Sequence, residues 1–278
     1  IMPVDPTTGL TNGPPRPLIQ SSREDTRASW SLDERWLAFT SDREGLMNLY
    51  VAPFDPESGT AGRAHRITSG PGGDYQAQWA PEGNKLFYFA KRGGNEDIWV
   101  VDLDDQKQTI GEPRRLTNHA ASDTNPFVSP DGKWIAFHSD RNGLIEVWLM
   151  SSDGTGPTNL YAVRAGGHFI PWYDETSYVA SRRRFFLDGR EPEPILWFGG
   201  GHLQLSPDRS QVLENNHKKI YVGPVQPEGS GEDFEVLVSY EESKISVDYT
   251  VWSPSGKWVL FDRNEPTGGD IYWLEGIE

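Results

Sequence analysis

A repeated segment dominates this sequence of 278 residues. Each copy holds an anchor residue that precedes a turn, as at Pro130-Asp131-Gly132, and an aromatic-rich segment follows the turn. The six anchors are Trp30, Trp79, Val128, Trp172, Leu205 and Trp252. Successive anchors are separated by 49, 49, 44, 33 and 47 residues. The mean step of about 44 residues is typical of the blades of a β-propeller.

A second position repeats 18 residues after most anchors, where a polar, an aliphatic and an aromatic residue follow one another. The copies are Asn48-Leu49-Tyr50, Asp97-Ile98-Trp99, Glu146-Val147-Trp148 and Asp270-Ile271-Tyr272, and the shorter fifth repeat has Lys219-Ile220-Tyr221. We predict four short strands per repeat, of which the first ends at the anchor and the third is this polar-aliphatic-aromatic segment. The second strands include 36–40 and 134–138, and the short fourth strands include 66–68 and 115–117.

No segment shows sustained helical periodicity. Six units of about 45 residues need about 270 residues, whereas seven would need about 315. The sequence therefore predicts an all-β, six-bladed propeller of four-stranded antiparallel blades.

A propeller must cover the edges of its first and last blades. The segment 16–19 matches a fourth strand that has no first three before it, and the last repeat stops at its third strand, 271–274. We predict that an N-terminal strand at 16–19 completes the C-terminal blade and closes the ring. This arrangement leaves residues 1–4, which resemble the end of a third strand, either surplus or the remnant of a longer chain.

Charge and composition exclude several functions. The chain has 26 basic and 41 acidic residues, a net charge of −15, and no cysteine. We expect no nucleic-acid partner, because phosphate binding needs a basic face. No apolar run is long enough to span a bilayer, so we expect no membrane insertion. Disulfides and cysteine metal sites are impossible.

The segments 129–154 and 252–276 resemble the WD-like propeller repeat of the TolB and tricorn type. The resemblance is specific in repeats 1, 2, 3 and 6 and faint in repeats 4 and 5. It implies a single TolB-like propeller domain over 1–278, which can belong to a longer parent chain because the sequence starts at Ile1. The family includes periplasmic proteins that bind other proteins, so a periplasmic or extracellular location is favoured. Related propellers accompany peptidases or form oligogalacturonate lyases with manganese.

Polar residues recur near the end of the first strand that faces the propeller axis. Because side chains of a strand alternate between its two faces, one face packs between blades and the other lines the channel. The candidate binding residues at the channel mouth are Arg27, Gln76, Asn125, His168, His202, Asp248 and Tyr249. A second set, Asp25, Asp74 and Asp123, lies five residues before three anchors. These aspartates either line the channel or accept hydrogen bonds from backbone N–H groups of repeated turns.

The basic run Arg182-Arg183-Arg184 has two interpretations. It can bind a carboxylate, or it is a solvated hairpin whose charge is offset by Glu191 and Glu193.

Two functions remain open. The first is a non-enzymatic scaffold, expected to be a monomer without cofactor or metal, that recognises a protein or peptide at the channel mouth. The alternative is a polysaccharide-active enzyme such as a lyase on acidic sugar, with His168 and His202 at a metal and Arg27 holding a carboxylate. A serine peptidase is not supported, because the sequence contains no Gly-x-Ser-x-Gly motif.

Overall fold

Six small antiparallel sheets form the six blades of a propeller in the computed structural model of this chain. The structure describes residues 1–159, 161–164, 169–195, 202–225 and 233–265, with only the backbone at His202. These ranges contain no α-helix, so the all-β prediction is confirmed. Within them, no helix could cross a membrane.

Each blade begins with its innermost strand. The strands of the first three blades are β2 (Asp25–Trp30), β3 (Trp36–Ser41), β4 (Asn48–Asp55), β5 (Thr60–Ala61), β6 (His65–Arg66), β7 (Asp74–Trp79), β8 (Lys85–Arg92), β9 (Asn95–Leu103), β10 (Thr109–Arg115), β11 (Asp123–Val128), β12 (Trp134–Ser139) and β13 (Glu146–Ser151). Those of the last three are β14 (Trp172–Asp174), β15 (Ser177–Ala180), β16 (Arg183–Phe186), β17 (Glu193–Pro194), β18 (His202–Leu205), β19 (Gln211–Asn215), β20 (Lys219–Pro224), β21 (Glu235–Ser239), β22 (Ser246–Trp252), β23 (Trp258–Asn264) and the N-terminal β1 (Met2–Pro3).

The repeated turn after the inner strand ends it at the predicted anchor in five blades. In blade 3, Asp131 accepts a hydrogen bond of 2.7 Å from the Ser129 hydroxyl. The Ser129 hydroxyl oxygen in turn accepts a hydrogen bond of 3.0 Å from the Trp134 N–H. Gly132 supplies the left-handed conformation, φ 71°, that this tight turn requires. In blade 4 the inner strand begins at Trp172 instead of ending there, because a tighter turn pairs Trp172 with Tyr178.

Apolar side chains fill the six spaces between neighbouring blades. One cluster joins Val179 and Ile195 of blade 4 to Leu203, Leu205 and Val212 of blade 5. Five equivalent clusters join the other neighbouring pairs, including blade 6 with blade 1. Each blade therefore buries both of its faces, and the ring is held mainly by hydrophobic packing.

The N-terminal strand of the last blade is not the one that the sequence predicts. Residues 16–19 form no strand, whereas Met2 pairs with Val259 and Pro3 with Trp258. Residues 1–4 are therefore not surplus, since β1 lies beside β23 as β4 lies beside β3 in blade 1. The segment 271–274, predicted as this third strand, lies outside the described residues.

Proline limits the backbone hydrogen bonds that the chain around 16–19 can donate. Pro14, Pro15 and Pro17 have no N–H group to donate to a sheet. Arg16 can, and its N–H and carbonyl each form a hydrogen bond of 2.8 Å with Ile1. Ile19 packs in the apolar cluster between blades 6 and 1.

Repeated ion pairs fasten the start of each inner strand in blades 1 to 3. Asp25, Asp74 and Asp123 pair with the arginines 18 residues later, Arg43, Arg92 and Arg141, at 2.6, 3.0 and 2.6 Å. The three guanidinium groups lie over third-strand aromatic rings, namely those of Tyr50, Trp99 and Trp148. Arginine side chains, rather than backbone N–H groups, are thus the partners of these aspartates in the described part of the chain.

The basic run 182–184 contributes to blade 4 in the same way. The Arg184 guanidinium pairs with Asp174 and lies over the ring of Tyr173, 4.0 Å from its centroid. Arg183 donates a hydrogen bond of 2.7 Å to the Pro192 carbonyl. These contacts favour the hairpin interpretation of the run.

We expect the Met2→Ala substitution to lower the free energy of unfolding by about 2–5 kcal/mol, because Met2 is fully buried in the cluster between blades 5 and 6. Chemical denaturation would measure it. The matched control is Met47→Ala, whose side chain is only half-buried in a hairpin. Equal changes in the two variants would contradict a structural role for β1.

We expect the Arg141→Gln substitution to lower the free energy of unfolding by about 3–5 kcal/mol. The substitution leaves the Asp123 carboxylate, whose side chain is 0% exposed, without its cation. The control Lys133→Gln removes the same charge from the same blade but from an ion pair whose lysine is 75% exposed. It should cost less than about 1 kcal/mol. A loss below that figure in Arg141→Gln would show that the buried pair does not stabilise the blade.

Candidate functional site

A β-bulge in the inner strand positions four of the predicted mouth residues. The pairing of the first two strands shifts register between positions four and one before the anchor in blades 1, 2, 3 and 6. At each shift one residue has a left-handed backbone: Arg27, Gln76, Asn125 and Tyr249, with φ of 55°, 53°, 51° and 46°. The bulge turns the same backbone position in each blade towards the axis region.

The backbone N–H of the bulge residue also connects adjacent blades. The Arg27 N–H donates to the Asp262 carboxylate at 2.8 Å, and the Gln76 N–H donates to the Thr40 hydroxyl at 3.1 Å. Thr40 and Asp262 occupy the same place, four residues after the tryptophan that starts the second strand. This alignment was the sequence signal by which Asp262 could have been recognised.

Arg27 is held in a fixed position at the mouth. Its Nη1 donates to Gln76 Oε1 at 3.4 Å, and its guanidinium lies 6.0 Å from the ring centroid of Phe89. Within the described ranges it forms no ion pair shorter than 4 Å. Arg27 therefore supplies a half-buried guanidinium group, which Gln76 and Phe89 orient.

Asp262 is a buried acid behind Arg27. Burial raises the pKa of its carboxyl to about 7. Hydrogen bonds from the Thr26 hydroxyl and the Arg27 N–H act in the opposite direction, whereas the charge of Asp248 raises the pKa further. The carboxyl is thus able to hold or release a proton near neutral pH.

The remaining candidates differ in their exposure. Gln76, Asn125 and Tyr249 are buried, and Asn125 Nδ2 lies 3.0 Å from Nδ1 of buried His138. Asp248 is half-buried, and one of its carboxylate oxygens accepts the Tyr249 N–H at 2.9 Å. Arg27 and Asp248 are therefore the accessible members of the described set, above a buried polar layer.

Aromatic and polar side chains of different blades meet near the axis. The ring of Tyr249 in blade 6 lies 4.6 Å from that of Phe169 in blade 4, and Gln78 Nε2 of blade 2 donates to the Tyr249 hydroxyl at 3.5 Å. Burial raises the pKa of that hydroxyl. Side chains from blades 2, 4 and 6 thus meet one another. We call the end of the ring where the inner strands begin the strand-start mouth.

The histidine pair predicted from the sequence is not located. His168 lies outside the described residues, and the side chain of His202 is not described. Among the residues that are described, no three His, Asp or Glu side chains gather closely enough to hold a metal ion.

We expect the Asp262→Asn variant to gain stability relative to the unchanged protein between about pH 4 and 7. The folded chain holds the Asp262 proton more tightly than the unfolded chain, whose ordinary pKa is 3.8. The proton on Asp262 therefore stabilises the folded chain fully below the unfolded pKa. This stabilisation disappears as the pH rises towards 7, by about 1.4 kcal/mol per unit of pKa shift. Chemical denaturation at each pH would measure the difference.

The control for this measurement is Asp55→Asn. Hydrogen bonds from Ser58 and Glu57 lower the pKa of exposed Asp55, so the linked change in stability lies below the unfolded pKa of 3.8. The relative stability of this variant should therefore stay level between about pH 4 and 7. An equal gain in both variants over that range would contradict the burial of a protonated Asp262.

Comparison with known proteins agrees with this architecture. The PD40 family, described as TolB beta propeller domain, matches residues 59–168. No curated protein sequence matches the chain.

Three solved structures resemble the chain in fold. TolB from Acinetobacter baumannii superposes with a TM-score of 0.59 at 17% identity, covering 98% of this chain and 65% of that protein. The oligogalacturonate lyase of Vibrio parahaemolyticus gives 0.54 at 13% identity, covering 98% and 95%. An oligogalacturonate lyase in complex with manganese gives 0.53 at 15% identity, covering 93% and 96%.

Such low identities show the fold and nothing of the function. The chain spans 65% of the length of the Acinetobacter protein. On its repeats and its six sheets the chain is a six-bladed β-propeller, and its residues 59–168 are similar to the TolB beta propeller domain.

Proposed function

We propose that this propeller is a non-enzymatic binding module that recognises a protein or peptide segment at the strand-start mouth. The observation that carries the proposal is the oriented Arg27 guanidinium, which lies at the mouth without an ion-pair partner among the described residues. A guanidinium has five N–H donors and suits carbonyl and carboxylate oxygens of a peptide.

The bulge position differs in chemistry from blade to blade. Four blades place Arg27, Gln76, Asn125 and Tyr249 on the same left-handed backbone site, and of these four side chains only that of Arg27 is accessible. The layer of bulge residues therefore has no rotational symmetry and presents a cation in one blade. Repeat scaffolds acquire specific binding surfaces by varying equivalent positions in this way.

The layers of the mouth support recognition of a docked segment rather than passage of a chain. A ligand would meet Arg27 and Asp248 first, while Gln76 holds the guanidinium from below. The rings of Tyr249 and Phe169, 4.6 Å apart, would obstruct the axis for a longer segment. A partner could present a loop or a chain end to this shallow recess and use both charged groups.

The lyase alternative lacks a comparable observation at the site. Of the three residues assigned to it, Arg27 alone has a described side chain, because His168 and the His202 side chain are not described. The similarity to lyases of known structure extends to the fold.

Selection of a displayed random-peptide library against the purified chain would test the proposal. We expect enriched peptides that bind the Arg27→Asn variant at least about tenfold more weakly, since a hydrogen bond to a charged group contributes about 1.5–3 kcal/mol. Asparagine removes the charge but tolerates the left-handed backbone, as Asn125 does in blade 3.

The matched control is Arg35→Ala, which removes an exposed arginine from the turn at the opposite end of β2. Its peptide affinity should equal that of the unchanged chain. The proposal fails if no peptide is enriched, or if Arg27→Asn binds the selected peptides with full affinity.

A further inference from the structure

A second recess lies at the other end of the channel, where the inner strands end and the repeated turns begin. This turn-side cavity has a volume of about 500 Å³ and receives side chains from all six blades. Six aromatic residues line it: Trp30, Phe127, Phe169, Trp172, Tyr249 and Trp252. Its size and apolar walls are typical of sites for small molecules or single side chains.

The cavity shares little with the strand-start mouth. Tyr249, Phe169 and Gln78, which donates to the Tyr249 hydroxyl, are part of its lining, whereas Arg27 and Asp248 are not. A ligand among these aromatic rings would therefore not contact Arg27. The turn-side cavity is therefore separate from the strand-start mouth.

Arg209 gives the cavity its charge. Of the described residues in its lining, Arg209 alone has an ionisable group that is charged at neutral pH. The side chain is half-buried, and burial lowers the pKa of its guanidinium. A cation in partly apolar surroundings attracts an anion more strongly than one in water does.

The hydrogen bonds of Arg209 leave one nitrogen available. Nε donates to the Tyr173 carbonyl at 2.6 Å, and Nη1 donates to the carbonyls of Ser206 and Pro207, both at 3.0 Å. In the described part of the chain, Nη2 has no acceptor within hydrogen-bond distance. The three carbonyls fix the guanidinium plane without neutralising its charge.

The acids nearest to Arg209 are occupied elsewhere. Asp174 forms the ion pair with Arg184, and Asp208 accepts the hydroxyl of Ser206 at 2.6 Å and the N–H of Ser210 at 3.1 Å. No described carboxylate lies within 4 Å of the Arg209 guanidinium. Arg209 therefore forms no direct ion pair with the described residues, although the charges of Asp174 and Asp208 raise the pKa of its guanidinium and oppose the effect of burial.

We propose that the turn-side cavity binds a ligand that combines an aromatic ring with a carboxylate. The ring would lie among the tryptophan and phenylalanine side chains, where aromatic contacts add to the burial of apolar area. The carboxylate would accept charge-assisted hydrogen bonds from Arg209 Nη2. A free aromatic acid and a peptide that ends in an aromatic residue share this chemistry.

Tryptophan fluorescence offers a direct measurement, because Trp30, Trp172 and Trp252 line the cavity. The chain would be titrated with N-acetyl-phenylalanine and with N-acetyl-phenylalaninamide, which has the same ring but no charge. We expect the acid to bind at least about tenfold more tightly than the amide, as a charge-assisted bond of about 1.5–3 kcal/mol implies. Equal affinities, or no binding by either, would overturn the proposal.

The Arg209→Asn variant should remove this preference and bind acid and amide alike. Asparagine is chosen because Arg209 has a left-handed backbone, φ 65°. The control Arg190→Gln removes an exposed arginine outside the cavity and should keep the preference. The acid-to-amide ratio of the unchanged protein tests the proposal even if Arg209→Asn fails to fold.

A third titration would distinguish the two sources. If the peptide Gly-Gly-Phe with a free carboxylate binds more tightly than N-acetyl-phenylalanine, the site recognises a chain end, and the proposal stands for that source. If the peptide binds more weakly, the proposal stands for a free aromatic acid. Arg27→Asn should leave all three affinities unchanged, so this proposal and that for the strand-start mouth can fail independently.

Discussion

Packing of each blade against the next is the interaction on which the rest of this structure depends. Six apolar clusters occupy the six spaces between blades, so every sheet is covered on both faces. Hydrogen bonds between blades add to this packing near the axis, where the backbone N–H groups of Arg27 and Gln76 donate to side chains of the preceding blade. The ring holds its inner strands at fixed positions, and these positions create the two recesses.

The repeated backbone performs two tasks at the axis. Its ion pairs and turns recur almost unchanged, as the pairs of Asp25, Asp74 and Asp123 with arginine show. Its bulge position gives each of blades 1, 2, 3 and 6 a different polar group. Stability thus comes from what is repeated, whereas the proposed recognition would depend on what differs. The rings of Tyr249 and Phe169 contact each other across blades and also line the turn-side cavity.

Local sequence was sufficient for the parts of the fold that depend on local forces. The anchor spacing predicted the number of blades, and the Pro-Asp-Gly turns located the ends of most inner strands. Local sequence was not sufficient where a strand pairs with a segment far away in the chain. Residues 1–4 look like a third strand, but no local signal says that they pair with β23, more than 250 residues away. The same limit applied to Arg209, because the Tyr173 carbonyl that its Nε contacts belongs to the neighbouring blade.

The sequence by itself determined the class, the period and the register, because turns and alternating strands depend on near neighbours in the chain. It also singled out the position that becomes the left-handed bulge residue in blades 1, 2, 3 and 6. Only the tertiary structure decided which of the candidate binding residues are accessible: Gln76 and Asn125 became buried, while Arg27 and Asp248 remained half-exposed. Exposure and charge at the axis depend on what the other five blades place there, and such contacts leave no periodic trace in a single sequence.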